Sequence, residues 1–312
     1  MKSLRMSVIV VAILLYCMAA LSCQQGEEAQ KVNLDKKTAN LSQLRKDTGK
    51  IKSLVFCFDL RLSPEEDAQI YGSFLDYLEK ETGLDFDLLF SKDYKETIDN
   101  IGTGKAQFAI IGGLSYLKAE HDYGVRMLVK GLDEKGKGNY RAAIIVKKTS
   151  PLNQLSQLKG RTFAFGSKYS TQGHLIPRYM LEREGISLTD LKKHLFVGSH
   201  WACAKAVIRG DVSAGGVQDR LALDLEKQGD VKILAISDYY SRSGIAVNKD
   251  VAEETASKVK TALLQFEPLG KDKEGLINWS KTEMPGGFTA VQPGDYDVLK
   301  KLAARYQLLG DE

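Results

Sequence analysis

The chain is short of the features that mark several protein classes. Its 312 residues hold four cysteines, and only Cys57 and Cys203 fall in the part that can fold. Neither has the CxxC or histidine-rich spacing of a metal site, so both read as buried thiols. Net charge is small: +4 for the whole chain, falling to about +2 once an N-terminal signal carrying Lys2 and Arg5 is removed. With no basic stripe either, nucleic acid is excluded as a partner. No internal repeat is visible, and no compositional bias points to a disordered or collagen-like chain. Also missing are a nucleophile–base pair with an orienting third group and paired carboxylates, so the sequence gives no reason to expect an enzyme or a cofactor.

What is present begins with an export signal. Lys2 and Arg5 precede the apolar run Val8 to Leu15, and Ala19-Ala-Leu-Ser-Cys23 follows. The run is too short to span a bilayer and has the charged, apolar and small-residue regions of a secretory signal. A cysteine directly after small residues resembles a bacterial lipobox, so residues 1–22 are expected to be removed and Cys23 lipidated. Residues 23–50 are polar, rich in lysine and glutamine, and hold few large apolar side chains. They read as a tether between membrane and globular body, and place the protein in the periplasm or on the cell surface.

From Ser53 onward, strand and helix patterns alternate. Ser53 to Phe58 is a buried strand, and Ser63-Pro64-Glu65-Glu66 opens a helix that Gly83 stops. Three later glycine or serine turns each enter a helix: Gly112 to Ser115, Ser170 to Gly173 and Gly198 to His200. At a helix start the first N–H groups have no intrahelical partner, and the dipole is positive there. Ser170 and Thr171 can therefore cap the helix or hold an anion, and from the stretch alone both readings stand. Alternation of this kind argues for parallel-type pairing, with ligands at the carboxyl ends of strands. The similar strands Tyr140 to Lys147 and Gly244 to Asn248 bracket a unit of domain size. The expected division is a first lobe of residues 51–147 plus 245–312 and a second of residues 148–244.

The order of several short motifs resembles a known family. They are Ile111-Gly-Gly-Leu-Ser-Tyr-Leu-Lys-Ala119, Tyr140, Ser150-Pro151, Leu158-Lys-Gly160, Ser170-Thr171-x-Gly173 with Pro177, Gly198-Ser-His200, Gly287-Phe288 and Asp295-Tyr-Asp297. Together they look like the phosphonate/phosphate/phosphite-type periplasmic binding proteins of ABC transporters. That resemblance implies an α/β, two-lobed type II periplasmic-binding-protein fold. Each lobe would be a mixed, mainly parallel sheet flanked by helices, and two crossover strands would join them.

The resemblance also implies a monomeric receptor that binds a small phosphorus oxyanion between its lobes and delivers it to a membrane permease. The alternative role is an extracytoplasmic sensor working with a membrane signalling protein. A Ser-Thr-Ser run of the family falls on Ser170, Thr171 and Gln172, where an amide replaces the third hydroxyl. A histidine falls on His200, and two tyrosines on Tyr94 and Tyr140; packing or capping is the rival reading for each. Acidic positions that hold a ligand ammonium in relatives fall on Arg220 and near Ser243, with Asp219 able to take the acidic role if the register slips by one. A cationic Arg220 implies a ligand without an amine.

Overall fold

Helix α1 (Pro64–Thr82) shows how local pattern sets the elements. Glu65, Glu66 and Asp67 crowd its first turn, where the dipole favours negative charge, and Gly83 ends it at φ +65°. Its apolar residues Ile70, Tyr71, Phe74 and Leu78 return at three- and four-residue spacing, and all are buried. They pack on strand β1 (Leu54–Phe58), where Phe56 meets Phe74 edge-on and stacks on Phe108 at 5.1 Å. The computed structural model describes residues 53–59, 61 and 64–310, all within one unit that spans Lys52–Glu312. The signal, Cys23, the tether and the capping Ser63 lie outside the described residues.

The chain continues through β2 (Phe86–Leu89), α2 (Tyr94–Gly102), β3 (Phe108–Ile111), α3 (Gly113–Tyr123) and β4 (Arg126–Gly131). After β5 (Asn139–Tyr140) come β6 (Ala142–Lys147) and β7 (Thr162–Phe165), then α4 (Ile176–Arg183), β8 (Lys193–Phe196), α5 (His200–Arg209) and β9 (Ala214–Gln218). The order closes with α6 (Asp219–Gln228), β10 (Val231–Ile236), β11 (Tyr240–Ser241), β12 (Gly244–Val247), α7 (Glu253–Gln265), β13 (Phe288–Ala290) and α8 (Asp297–Arg305).

These strands build two mixed sheets on one plan. The first has the order β13-β4-β12-β3-β1-β2 and the second β10-β6-β9-β7-β8. In each, three strands run parallel because helices connect them: β2, β1 and β3 in one, β8, β7 and β9 in the other. The other pairs are antiparallel, and all but β13 with β4 involve β12 or β6, which enter where the chain passes from one sheet to the other. Each sheet with its helices forms a lobe, and the two-stranded ladder of β5 and β11, Tyr140 opposite Tyr240, stands where the chain crosses.

That ladder moves one expected boundary. The sequence places Ala142–Lys147 in the first lobe, yet β6 pairs with both β9 and β10 and is an inner strand of the second sheet. Its Ala142, Ile144 and Val146 face one buried cluster, while Ala143 and Ile145 face another. A strand buried on both faces belongs inside a sheet, and the crossing falls at residues 139–141. On the return, β12 begins at Gly244. Cys57 and Cys203 are both buried and free.

Helix α8 packs on α3 in the first lobe, with Tyr296 and Tyr116 edge-to-face at 5.1 Å. Past its end it also reaches the second lobe. Arg305 and Tyr306 both bond Glu182 of α4, and Arg178 lies 4.1 Å over the Tyr306 ring.

Candidate functional site

Four chain segments start helices around one small cavity between the lobes, of about 10 Å³. Tyr94 is the first residue of α2, capped by Asp93, whose carboxylate accepts the Glu96 N–H at 2.9 Å. Gly112 precedes α3. Ser170 precedes a single wide turn, Thr171–Leu175, that leads into α4. His200 opens α5, where the Ser199 hydroxyl accepts the Ala202 N–H at 3.1 Å. Tyr94, Gly112, Ser170, Thr171, Gln172 and His200 all line the cavity, and Tyr140 joins them from β5.

The two readings of Ser170 prove compatible. Its oxygen accepts the Gly173 N–H at 2.9 Å, which is a cap, and its hydroxyl hydrogen stays available to donate. The Thr171 hydroxyl accepts the Leu114 N–H at 2.8 Å, so the start of α3 in one lobe is tied to the helix start of the other. Gln172 donates its amide to the Arg141 carbonyl at 2.7 Å, which fixes that side chain at the cavity wall. Gly173 allows the close approach. A Cβ there would lie 2.9 Å from the Ser170 hydroxyl and 3.1 Å from the His200 ring.

Burial raises the Tyr94 and Tyr140 phenols far above their ordinary range, so both keep their protons and can donate. Burial also lowers His200 to about 4, against the attraction of Glu283, so its imidazole is neutral near pH 7. The Tyr140 hydroxyl and His200 Nδ1 are buried with no hydrogen-bond partner in the protein.

The rest of the lining is charged. Arg61, between β1 and α1, pairs with Glu283, and its Nη2 donates to the Ser243 hydroxyl at 3.3 Å. Ser243 in turn donates to Glu283. Burial alone would raise Glu283, but Arg61 and then the Ser243 hydroxyl outweigh it and hold the group below the usual carboxylate range. Behind Gly112, the Asp59 carboxylate accepts the Gly112 N–H at 2.9 Å. Burial pushes Asp59 up to about 7, against the pull of Arg61.

A family model described as the periplasmic substrate-binding protein of a phosphonate ABC transporter matches residues 56–296, which take in both sheets and this cavity. The chain belongs to that family. Among curated relatives of this phosphonate-binding-protein family, the "Phosphonates-binding periplasmic protein" of Escherichia coli (strain K12) is 27% identical over 218 residues. The match takes in 66% of this chain and 64% of that relative. The "Probable ABC transporter phosphite binding protein PhnD1" of Prochlorococcus marinus (strain MIT 9301) is 27% identical over 139 residues, 41% of this chain and 46% of its own length. The matched part thus falls short of two thirds of either relative. A solved structure of PhnD1 in complex with methylphosphonate superposes with TM-score 0.74 at 19% identity, over 82% of this chain and 98% of that one. At that identity the likeness speaks for the fold.

Within the family frame, six of the residues singled out in the sequence lie together at the cavity: Tyr94, Tyr140, Ser170, Thr171, Gln172 and His200. Asp219 and Arg220 do not line it. They border a larger open groove of about 290 Å³ that shares Gln172 and Glu283 with the cavity. Asp219 pairs with Arg141 at 3.3 Å, and the half-exposed Arg220 pairs with Glu134 at 2.8 Å from the opposite lobe. Arg61 and Glu283 carried no signal in the sequence, because neither opens a helix nor sits in a motif. In the sequence, Ser243 stands out only as lying near a position where relatives are acidic.

Proposed function

We propose that this protein is the extracytoplasmic solute-binding lipoprotein of an ABC transporter, anchored through Cys23. Its ligand is a small phosphorus oxyanion: phosphate, phosphite or a phosphonate without an amine. The observation that carries the reading is the meeting of four helix starts, two phenols and the Ser170 hydroxyl at one buried cavity between two lobes. Uncapped N–H groups and hydroxyls at helix starts suit tetrahedral oxygens, and burial strengthens each such bond. The family match and the phosphonate and phosphite named for the relatives support the same chemistry. Binding closes the lobes about the β5–β11 crossing, and the closed form is what a membrane permease receives.

One preparation from an exporting bacterial host tests both parts. The wild-type chain is expected in the membrane fraction, and the Cys23→Ser variant in the soluble one. By calorimetry the wild type is expected to bind methylphosphonate, phosphite or phosphate, and Ser170→Ala to weaken that binding about tenfold or more. Absence of binding by all three oxyanions sinks the proposal.

A further inference from the structure

The anion-binding groups named above come mainly from helix starts, but one wall of the cavity is a charge pair with another logic. The Arg61 and Glu283 side chains are 10% and 7% exposed, and they are bonded to one another. One oxygen of Glu283 meets Arg61 and the other accepts from Ser243. Arg61 spends one nitrogen on Glu283 and another on Ser243, and its third, Nε, is buried without a partner. The Tyr140 hydroxyl and His200 Nδ1, also unpartnered, belong to the same cavity. Guanidinium is a donor only, so Nε–H can be satisfied by nothing but an acceptor.

We propose that Arg61 is the specificity-determining residue of this cavity: it occupies Glu283, the carboxylate that would otherwise hold a cationic group, and turns Nε–H to the ligand, so that the site takes a small oxyanion lacking an ammonium. The inference rests on reading the cavity as an oxyanion site.

The physical case is one of exclusion. A buried carboxylate without a partner strongly favours a cation, and Arg61 already supplies one that cannot lose its proton. A ligand ammonium would meet a second positive charge with no free carboxylate in the lining. Asp59 stands behind Gly112, outside the lining, with one oxygen bonded to the Gly112 N–H. Arg220 cannot serve the purpose, since it lies in the outer groove and is paired with Glu134. Selection therefore belongs to the Arg61–Ser243–Glu283 wall, and the oxyanion cradle to Ser170, Thr171 and His200.

The test compares methylphosphonate with 2-aminoethylphosphonate by calorimetry. The wild type is expected to prefer methylphosphonate at least about tenfold. Arg61→Met frees Glu283 and should move the preference toward the amine by about tenfold or more, whereas Glu283→Gln, which keeps Arg61, should leave the amine disfavoured. Arg61→Met leaves a buried charge and can fail to fold. The double variant Arg61→Met/Glu283→Gln removes both charges, and in it the preference should fall toward one. Equal binding of the two ligands by the wild type overturns the proposal, as does an unchanged preference in whichever Arg61 variants fold. If oxyanions bind but preference ignores Arg61, only the assignment of Arg61 fails. If neither ligand nor phosphate binds the wild type, the oxyanion reading fails with it.

Discussion

His200 was legible as a helix-opening histidine, but its charge state was not. Burial keeps it, and likewise His174, neutral down to about 4. An unfolded histidine takes up a proton near 6.5. The unfolded chain therefore binds more protons than the fold between about 6.5 and 4, and stability falls as pH drops through that window. Urea denaturation at pH 7 and pH 4.5 should show this fall, and His200→Gln should reduce it by up to about 3 kcal/mol. Asp59 acts in the opposite sense. Its pKa is raised to about 7, so its contribution is greatest at low pH and is lost as pH rises from about 4 to 7. Asp59→Asn should remove that opposing slope. An unchanged slope in His200→Gln would mean that the ring is solvated. Arg61 and Glu283 were invisible for a plainer reason: a charged residue in a loop reads as solvent-facing until its partner from 222 positions away is in place.

Element by element, whatever was periodic was legible. Strand β1 and helices α1 and α5 fall close to where the sequence puts them, because one buried face imposes one repeat. Strands β4 and β13 went unread, and β5 and β11 are two residues each, too short to carry any repeat. Gly244 shows what such short strands demand. A Cβ on this first residue of β12 would lie 2.0 Å from the Val129 carbonyl oxygen and 2.9 Å from the Met127 sulfur. The obstacle is backbone of the neighbouring β4, which cannot turn aside as a side chain could. Gly244→Ala should cost about 1–3 kcal/mol, read as a lower urea midpoint with an unchanged slope. A midpoint equal to wild type would show that β4 and β12 can separate at no cost.

For the whole molecule, helix–strand alternation pointed correctly to two α/β lobes. It overstated parallel pairing, because the strands that carry the chain between lobes pair antiparallel with their neighbours. The lobes also touch outside the cavity lining, through Arg220 with Glu134 beside the outer groove and through Arg305 and Tyr306 with Glu182. The Arg220–Glu134 pair is half-exposed on both sides and therefore weak. Arg220→Ala should change oxyanion affinity by less than about threefold, and 0.5 M salt should abolish even that difference. A loss of tenfold or more by calorimetry would return Arg220 to the binding machinery.

Tyr140 has two duties at once. It is a wall of the cavity, with its hydroxyl unpartnered, and it is a rung of the short ladder through which the chain passes between its halves. A guest that bonds to this phenol holds the axle as well as the jaws. Under the proposed function, occupancy and posture would then be registered by one side chain.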